Sequence, residues 1–232
     1  MRGTTSQIAF ALLEIIAAFV PFVALGAVSY AAGLDSALGL SSAILAPVLS
    51  VGVATLVLRR KNTGWREIGL ARPKSWLRTT VLALATFVGA VFVIVLVQVV
   101  AQNIPGLVAE SIDESRFDAL EGSVIFLVIS LLGAWTTISF GEEMLFRAFL
   151  ISRVTGIFQN YRVGAIVAVG IAGVVFGVTH VIEGPVGILS NGAFGVLFGV
   201  IYLRTGRNLW VTIIAHGGLN TVRFVLVFAG AT

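Results

Sequence analysis

Seven stretches of this chain are long and apolar enough to cross a lipid bilayer, and no other feature restricts its fold as much. They fall at roughly 8–32, 37–58, 79–104, 123–151, 163–182, 186–203 and 209–229, each close to the ~20 residues that a helical crossing takes. A backbone in hydrocarbon has to satisfy its own polar groups, so stretches of this length predict helices. The expected architecture is all-α: a polytopic transmembrane helical bundle of about seven to eight membrane helices, forming a single membrane domain over 1–232. Stretch 123–151 is too long for one straight crossing. It is expected to tilt, to break near Gly133 or to run on past the membrane. An eighth, re-entrant piece stays open. Arg2 followed by an apolar run has the outline of a signal peptide, but the run from Ile8 to Ala32 exceeds a typical h-region and reads as the first span.

Composition agrees. Only 11% of the residues are charged and 58% are hydrophobic, whereas an average soluble domain carries about 25% charged residues. An ordinary soluble enzyme is excluded, and so is intrinsic disorder. The 26 glycines suit close packing of helices in lipid. There are no cysteines, which removes disulfides, thiolate-bound zinc, iron–sulfur clusters and thiol nucleophiles.

The net charge of +4 is a matter of topology rather than of nucleic acid, for which the chain has no motif. With a cytoplasmic N-terminus, seven alternating spans put Arg2, Arg59, Arg60, Lys61, Arg66, Arg72, Lys74, Arg78, Arg153, Arg162, Arg204 and Arg207 on the inside. That is 12 of the 15 basic residues, as the positive-inside rule requires. The outside receives Arg116 with Asp35, Glu110, Asp113, Glu114, Asp118, Glu121 and Glu183. The basic loop 59–78, with Trp65 and Trp76, is expected along the inner headgroups as a topology determinant. The acidic stretch 110–121 reads as a solvated loop. The expected location is a prokaryotic cell membrane, with lipid as the surrounding partner.

Ionisable groups inside a bilayer cost at least ~2.5 kcal/mol each on insertion scales, so the few that occur point to function. They are Glu14, Glu142, Glu143, Arg147, His180, His216 and Arg223, and they include both histidines of the chain. Glu143 and Arg147 are four residues apart with the acid first, the favourable order for an ion pair. Glu142 is rotated by about 100° from Glu143 and escapes that arginine. His216 and Asn220 share one helix face, with Arg223 one turn further on; Arg223 is expected to pair with Glu14 or with one of the paired glutamates. Gly217 and Gly218 allow close approach of a helix or a ligand.

One free glutamate, two histidines and an asparagine on three apolar helices can meet only inside the bundle. A glutamate with a neighbouring histidine can hold and deprotonate water. A second histidine and an amide can donate to a developing oxyanion. The same donors can also hold a divalent metal such as zinc, although HExxH is absent.

Together, Glu142-Glu143-x-x-x-Arg147, Phe176-x-x-x-His180 and His216-x-x-x-Asn220 resemble the three motifs of the CPBP intramembrane proteases. That family comprises CAAX prenyl endopeptidases and bacteriocin-processing or self-immunity proteins, also called the Abi family. Phe146 beside Arg147 and Leu209-Trp210 before the His216 helix fit as well. The resemblance covers about 120–228; the first half matches in character only, through its spans and the stretch from Gly64-Trp65 to Leu70. It implies an all-helical membrane fold with an intramembrane catalytic cavity and an intramembrane endopeptidase activity on peptide or lipidated-peptide substrates. It implies Glu142 as general base, His180 as a holder of the water, His216 and Asn220 as oxyanion donors, and Glu143 and Arg147 in support. The family has been labelled metalloprotease, but its prenyl-processing members look glutamate-dependent. No cofactor is therefore favoured, with zinc left open. Two other functions remain: a non-catalytic immunity or binding protein of the same fold, and a proton-linked transporter.

Depth is the difficulty. At 1.5 Å per residue, Glu142, His180 and His216 are expected about 22, 27 and 12 Å from the inner ends of their helices.

Overall fold

The computed structural model describes residues 5–33, 36–105, 107 and 120–231. Among these residues it holds seven helices long and apolar enough to span a membrane: α1 (Thr5–Ala32), α2 (Ala37–Arg60), α3 (Trp76–Gln102), α4 (Val124–Thr155), α5 (Tyr161–Val178), α6 (Val181–Arg204) and α7 (Leu209–Phe228). The expected spans are all present, and no eighth appears among the described residues. The chain is thus a multi-pass integral membrane protein. Of the acidic stretch 110–121, all but Leu120 and Glu121 lies outside the described residues.

Side-chain caps fix where most of these helices begin. Ser36, Ser75, Ser123, Asn160 and Asn208 each accept a hydrogen bond from a backbone N–H of the first turn, satisfying a donor that the helix itself leaves orphaned. Apolar side chains then sort by neighbour. On α3, Leu77, Val81, Leu84, Val88 and Phe92 are exposed at helical spacing, a lipid-facing stripe. On the other face of α3, Thr79, Ala83, Thr86 and Ala90 are buried against the bundle.

The fourth helix is the axis of the bundle. Every residue from Gly141 to Leu150 is buried, and α2, α5, α6 and α7 all pack on Glu143–Leu150. The long span does not break at Gly133. It changes winding there, into a π-helical turn over Ala134–Ile138, and again over Glu143–Leu150. Such i→i+5 turns are frequent at functional sites.

Helices α5 and α6 approach through glycine. A Cβ on residue 177 would lie 2.5 Å from the carbonyl oxygen of Ile188, and one on residue 173 would lie 3.0 Å from that of Gly192. Small residues at the crossing let the two backbones touch, as is usual in membranes. Gly177→Ala is therefore expected to lower the thermal unfolding midpoint, by the equivalent of about 1–3 kcal/mol of overpacking. Gly170→Ala on the same helix, where a Cβ meets nothing within 4 Å, should leave it unchanged. Equal midpoints for the two variants would remove the close crossing from the account.

The basic end is stapled shut. The Tyr202 hydroxyl donates to the Ile68 carbonyl (2.6 Å), the Trp210 indole N–H donates to the Ala71 carbonyl (3.1 Å), and the Leu209 amide donates to the Gly69 carbonyl (3.1 Å). Gly69 has φ +119°, and a Cβ there would lie 2.4 Å from the Arg207 carbonyl oxygen, so only glycine serves at this position. Glu14 lies at the same end and pairs with Lys61 (3.1 Å) and with Arg153.

Candidate active site inside the bundle

The three motifs converge. Glu142 and Glu143 come from the middle of α4, His180 from the residues just past α5, and His216 and Asn220 from the middle of α7. Glu142, Glu143, Arg147 and His216 are buried, while His180 and Asn220 are half-buried.

Glu143 is the hub. Its Oε1 lies 3.0 Å from Arg147 Nη1 and 2.9 Å from His216 Nδ1. A carboxylate held by a guanidinium only accepts, so His216 carries a proton on Nδ1 and donates it to Glu143. This orients the ring, and its Nε2 then faces Glu142 Oε2 at 3.9 Å. The two glutamates do divide as their 100° offset implies: one is engaged with the arginine, and the other lies across the histidine.

Arg147 is 1% exposed and sits in an aromatic box. Its guanidinium carbon lies 4.5 Å from the Phe176 ring centroid and 5.3 Å from those of Phe194 and Phe198. Its Nε and Nη2 have no hydrogen-bond acceptor; ring faces take that place, and a desolvated cation–π contact contributes about 2 kcal/mol. The same rings bound His216, with Phe194 at 5.1 Å and Phe198 at 6.1 Å. Phe146 continues the stack, edge-on to Phe19, Phe22 and Phe176.

The other two residues are also oriented. His180 Nδ1 lies 2.8 Å from the Phe176 carbonyl. A carbonyl only accepts, so Nδ1 bears the proton and Nε2 is left with its lone pair. The His180 ring lies 4.7 Å from that of Phe176, which in turn lies 6.3 Å from the His216 ring. The Asn220 amide donates one hydrogen to Ser139 Oγ at 3.0 Å. Ser139 is fully buried and stands one turn before Glu142 on the same helix. Sequence reasoning missed it, and its spacing from Glu142 was the available signal.

One expectation needs correction. Arg223 does not pair with Glu14 or with the paired glutamates; it faces Glu183 at 3.6 Å. Glu14 is two turns into α1 at the basic end, whereas Arg223 lies in the far half of α7, so the two cannot meet. Gly217 and Gly218 allow the expected close approach of other helices: a Cβ at 217 would lie 2.6 Å from the Trp135 ring, and one at 218 would lie 3.3 Å from Phe87. Trp135 also donates to Thr221 Oγ1 at 3.0 Å. The unequal depths counted along the helices leave Glu142 and His216 within reach of each other. Helix α7 begins sunk in the bundle, with Leu209 unexposed and its cap Asn208 donating to Thr79, one turn inside α3. The π-helical winding of α4 shortens its advance per residue in the opposite sense.

A zinc site needs at least three convergent donors. Among the described residues no three His, Cys, Asp or Glu are so grouped, and Glu143 and His216 are already spent on each other.

A helical bundle with buried paired glutamates facing a histidine, and a second histidine one aromatic ring away, has the makings of an intramembrane hydrolase. Residues 124–222 match the family model described as type II CAAX prenyl endopeptidase, Rce1-like. Over that stretch, less than half of its length, the chain is similar to that family, and the match takes in every motif residue. No curated protein and no solved structure matches the chain.

Proposed function

We propose that the protein is an intramembrane endopeptidase whose general base is Glu142. The observation that carries this reading is the split between the glutamates: Arg147 and His216 both engage Glu143, which leaves the Glu142 carboxylate for chemistry. The family match supports an intramembrane protease in general; the mechanism below is ours.

Glu142 takes a proton from a water molecule, and the hydroxide attacks a peptide carbonyl. His180, with its Nε2 lone pair, accepts a hydrogen bond from that water and aims it. In the transition state we assign His216 a donor role at both ring nitrogens. In that form Nδ1 still donates to Glu143, while Nε2–H points to the reaction space beside Glu142. It joins the second N–H of Asn220 in stabilising the oxyanion. Glu142 then returns its proton to the leaving amine. Glu143, Arg147 and Ser139 position the others. The substrates are peptides or lipidated peptides presented at the membrane, nucleic acid has no part, and the N-terminus is cytoplasmic.

The test is cleavage by purified protein in detergent, offered a prenylated CAAX peptide and an unprenylated peptide library, with and without a strong chelator. Cleavage is expected to survive the chelator. Loss of cleavage that zinc restores would move the same side chains into a metal site.

A further inference from the structure

Apart from the glutamates and histidines, the structure holds a cavity of about 510 Å³ at the basic end, lined by Arg66, Leu70, Ala71, Arg72, Trp76 and Trp210. We propose that this groove is a binding site for an anionic phospholipid: the phosphate between the two guanidinium groups, and the first acyl carbons against the indoles.

Its place in the bundle selects a lipid. The groove opens where α3 and α7 begin, so it lies at the level where the spans meet the headgroups. Indole rings favour that level. Trp76 and Trp210 pack edge-on with centroids 5.5 Å apart, and Trp76 is 44% exposed. They form an apolar wall beside two cations, which matches an amphiphile with an anionic head. A guanidinium presents paired donors to phosphate oxygens.

The site is built rather than left over. The loop that carries Arg66 and Arg72 is fastened at Ile68, Gly69 and Ala71 by the three hydrogen bonds described above, and the positive φ of Gly69 shapes it. The floor continues inward, since Trp210 packs on Phe140 at 6.0 Å. Other cations nearby do not share this geometry. Arg59 and Arg60 are exposed at the end of α2 and do not line the cavity, so they serve as an internal control of equal charge.

The experiment titrates the full-length protein in detergent with short-chain phosphatidylglycerol, with short-chain phosphatidylcholine and with inorganic phosphate, and reads indole emission. Phosphatidylglycerol is expected to give a saturable change, and the other two none. Arg66→Gln/Arg72→Gln should weaken it about thirty-fold, each cation at an anionic surface contributing roughly fivefold. Arg59→Gln/Arg60→Gln should stay within about threefold of wild type. Equal thermal midpoints without lipid show that both variants fold, and Arg66→Lys/Arg72→Lys, which keeps the charge, should recover part of the affinity. The proposal is overturned if phosphatidylcholine binds as well, if phosphate alone reproduces the change, if the cavity variant binds like wild type, or if the control variant loses as much.

Discussion

Glu142→Gln is expected to lower peptide cleavage by roughly a hundred- to ten-thousandfold, the contribution of a positioned general base, while the protein folds and melts as before. Glutamine keeps the shape of the side chain and can still hydrogen-bond beside His216 Nε2, but it cannot take a proton from water. The informative comparison is with Glu143→Gln. That change strips the counter-charge from a buried arginine and the acceptor from His216 Nδ1, so it should damage stability and activity together. Turnover and unfolding midpoints measured on both variants separate the two roles. Wild-type turnover in Glu142→Gln would falsify the assignment of the base.

Arg147→Ala should be the most destabilising single substitution in the molecule, by about 3–5 kcal/mol, the cost of leaving one charge of a buried pair uncompensated. Glu143 would keep its charge in a fully buried position, and the three phenylalanine faces would close on nothing. His216 would lose its anchor when Glu143 shifts, so activity should fall as well. The double variant Arg147→Met/Glu143→Gln removes both charges and fills most of the volume. It is expected to recover a large part of the unfolding midpoint without recovering full activity. If the double variant is no more stable than Arg147→Ala, the ion pair is not what the aromatic box holds in place.

Much of this molecule could be read from the chain, because a bilayer leaves so few alternatives. Length and hydropathy set the spans, and lipid forbids irregular backbone between their ends. The scarcity of ionisable residues singled out Glu142, Glu143, Arg147, His180 and His216, and helical spacing paired Glu143 with Arg147. What escaped has a common cause. Phe194 and Phe198 enclose Arg147, yet a phenylalanine in an apolar helix looks the same whether it faces a guanidinium or a lipid tail. Ser139 is a small polar residue of a kind that membrane helices satisfy on their own backbone. Trp135 over Gly217 is a contact between helices far apart in sequence: the glycines foretell a close approach but not the residue that makes it. Residue counts along each helix could not place Glu142 and His216 at one level, because they say nothing of how the helices sit against one another.

The π-helical winding of α4 has a bearing on how the chain can change. Each such turn accommodates an extra residue in a helix that remains continuous. Deleting one residue within Ala134–Ile138 or Glu143–Leu150 could let the segment relax to an ordinary α-helix, with little harm to its ability to cross the bilayer. A deletion within the α-helical stretch Ser139–Glu142, which has no extra residue to give up, would instead turn everything on one side by about 100° relative to the other. Glu142 and Glu143 would exchange facings, or Ser139 would leave Asn220. This stretch can thus accept many exchanges of one apolar side chain for another and almost no change in length, whereas the loops that join the helices are under the opposite rule.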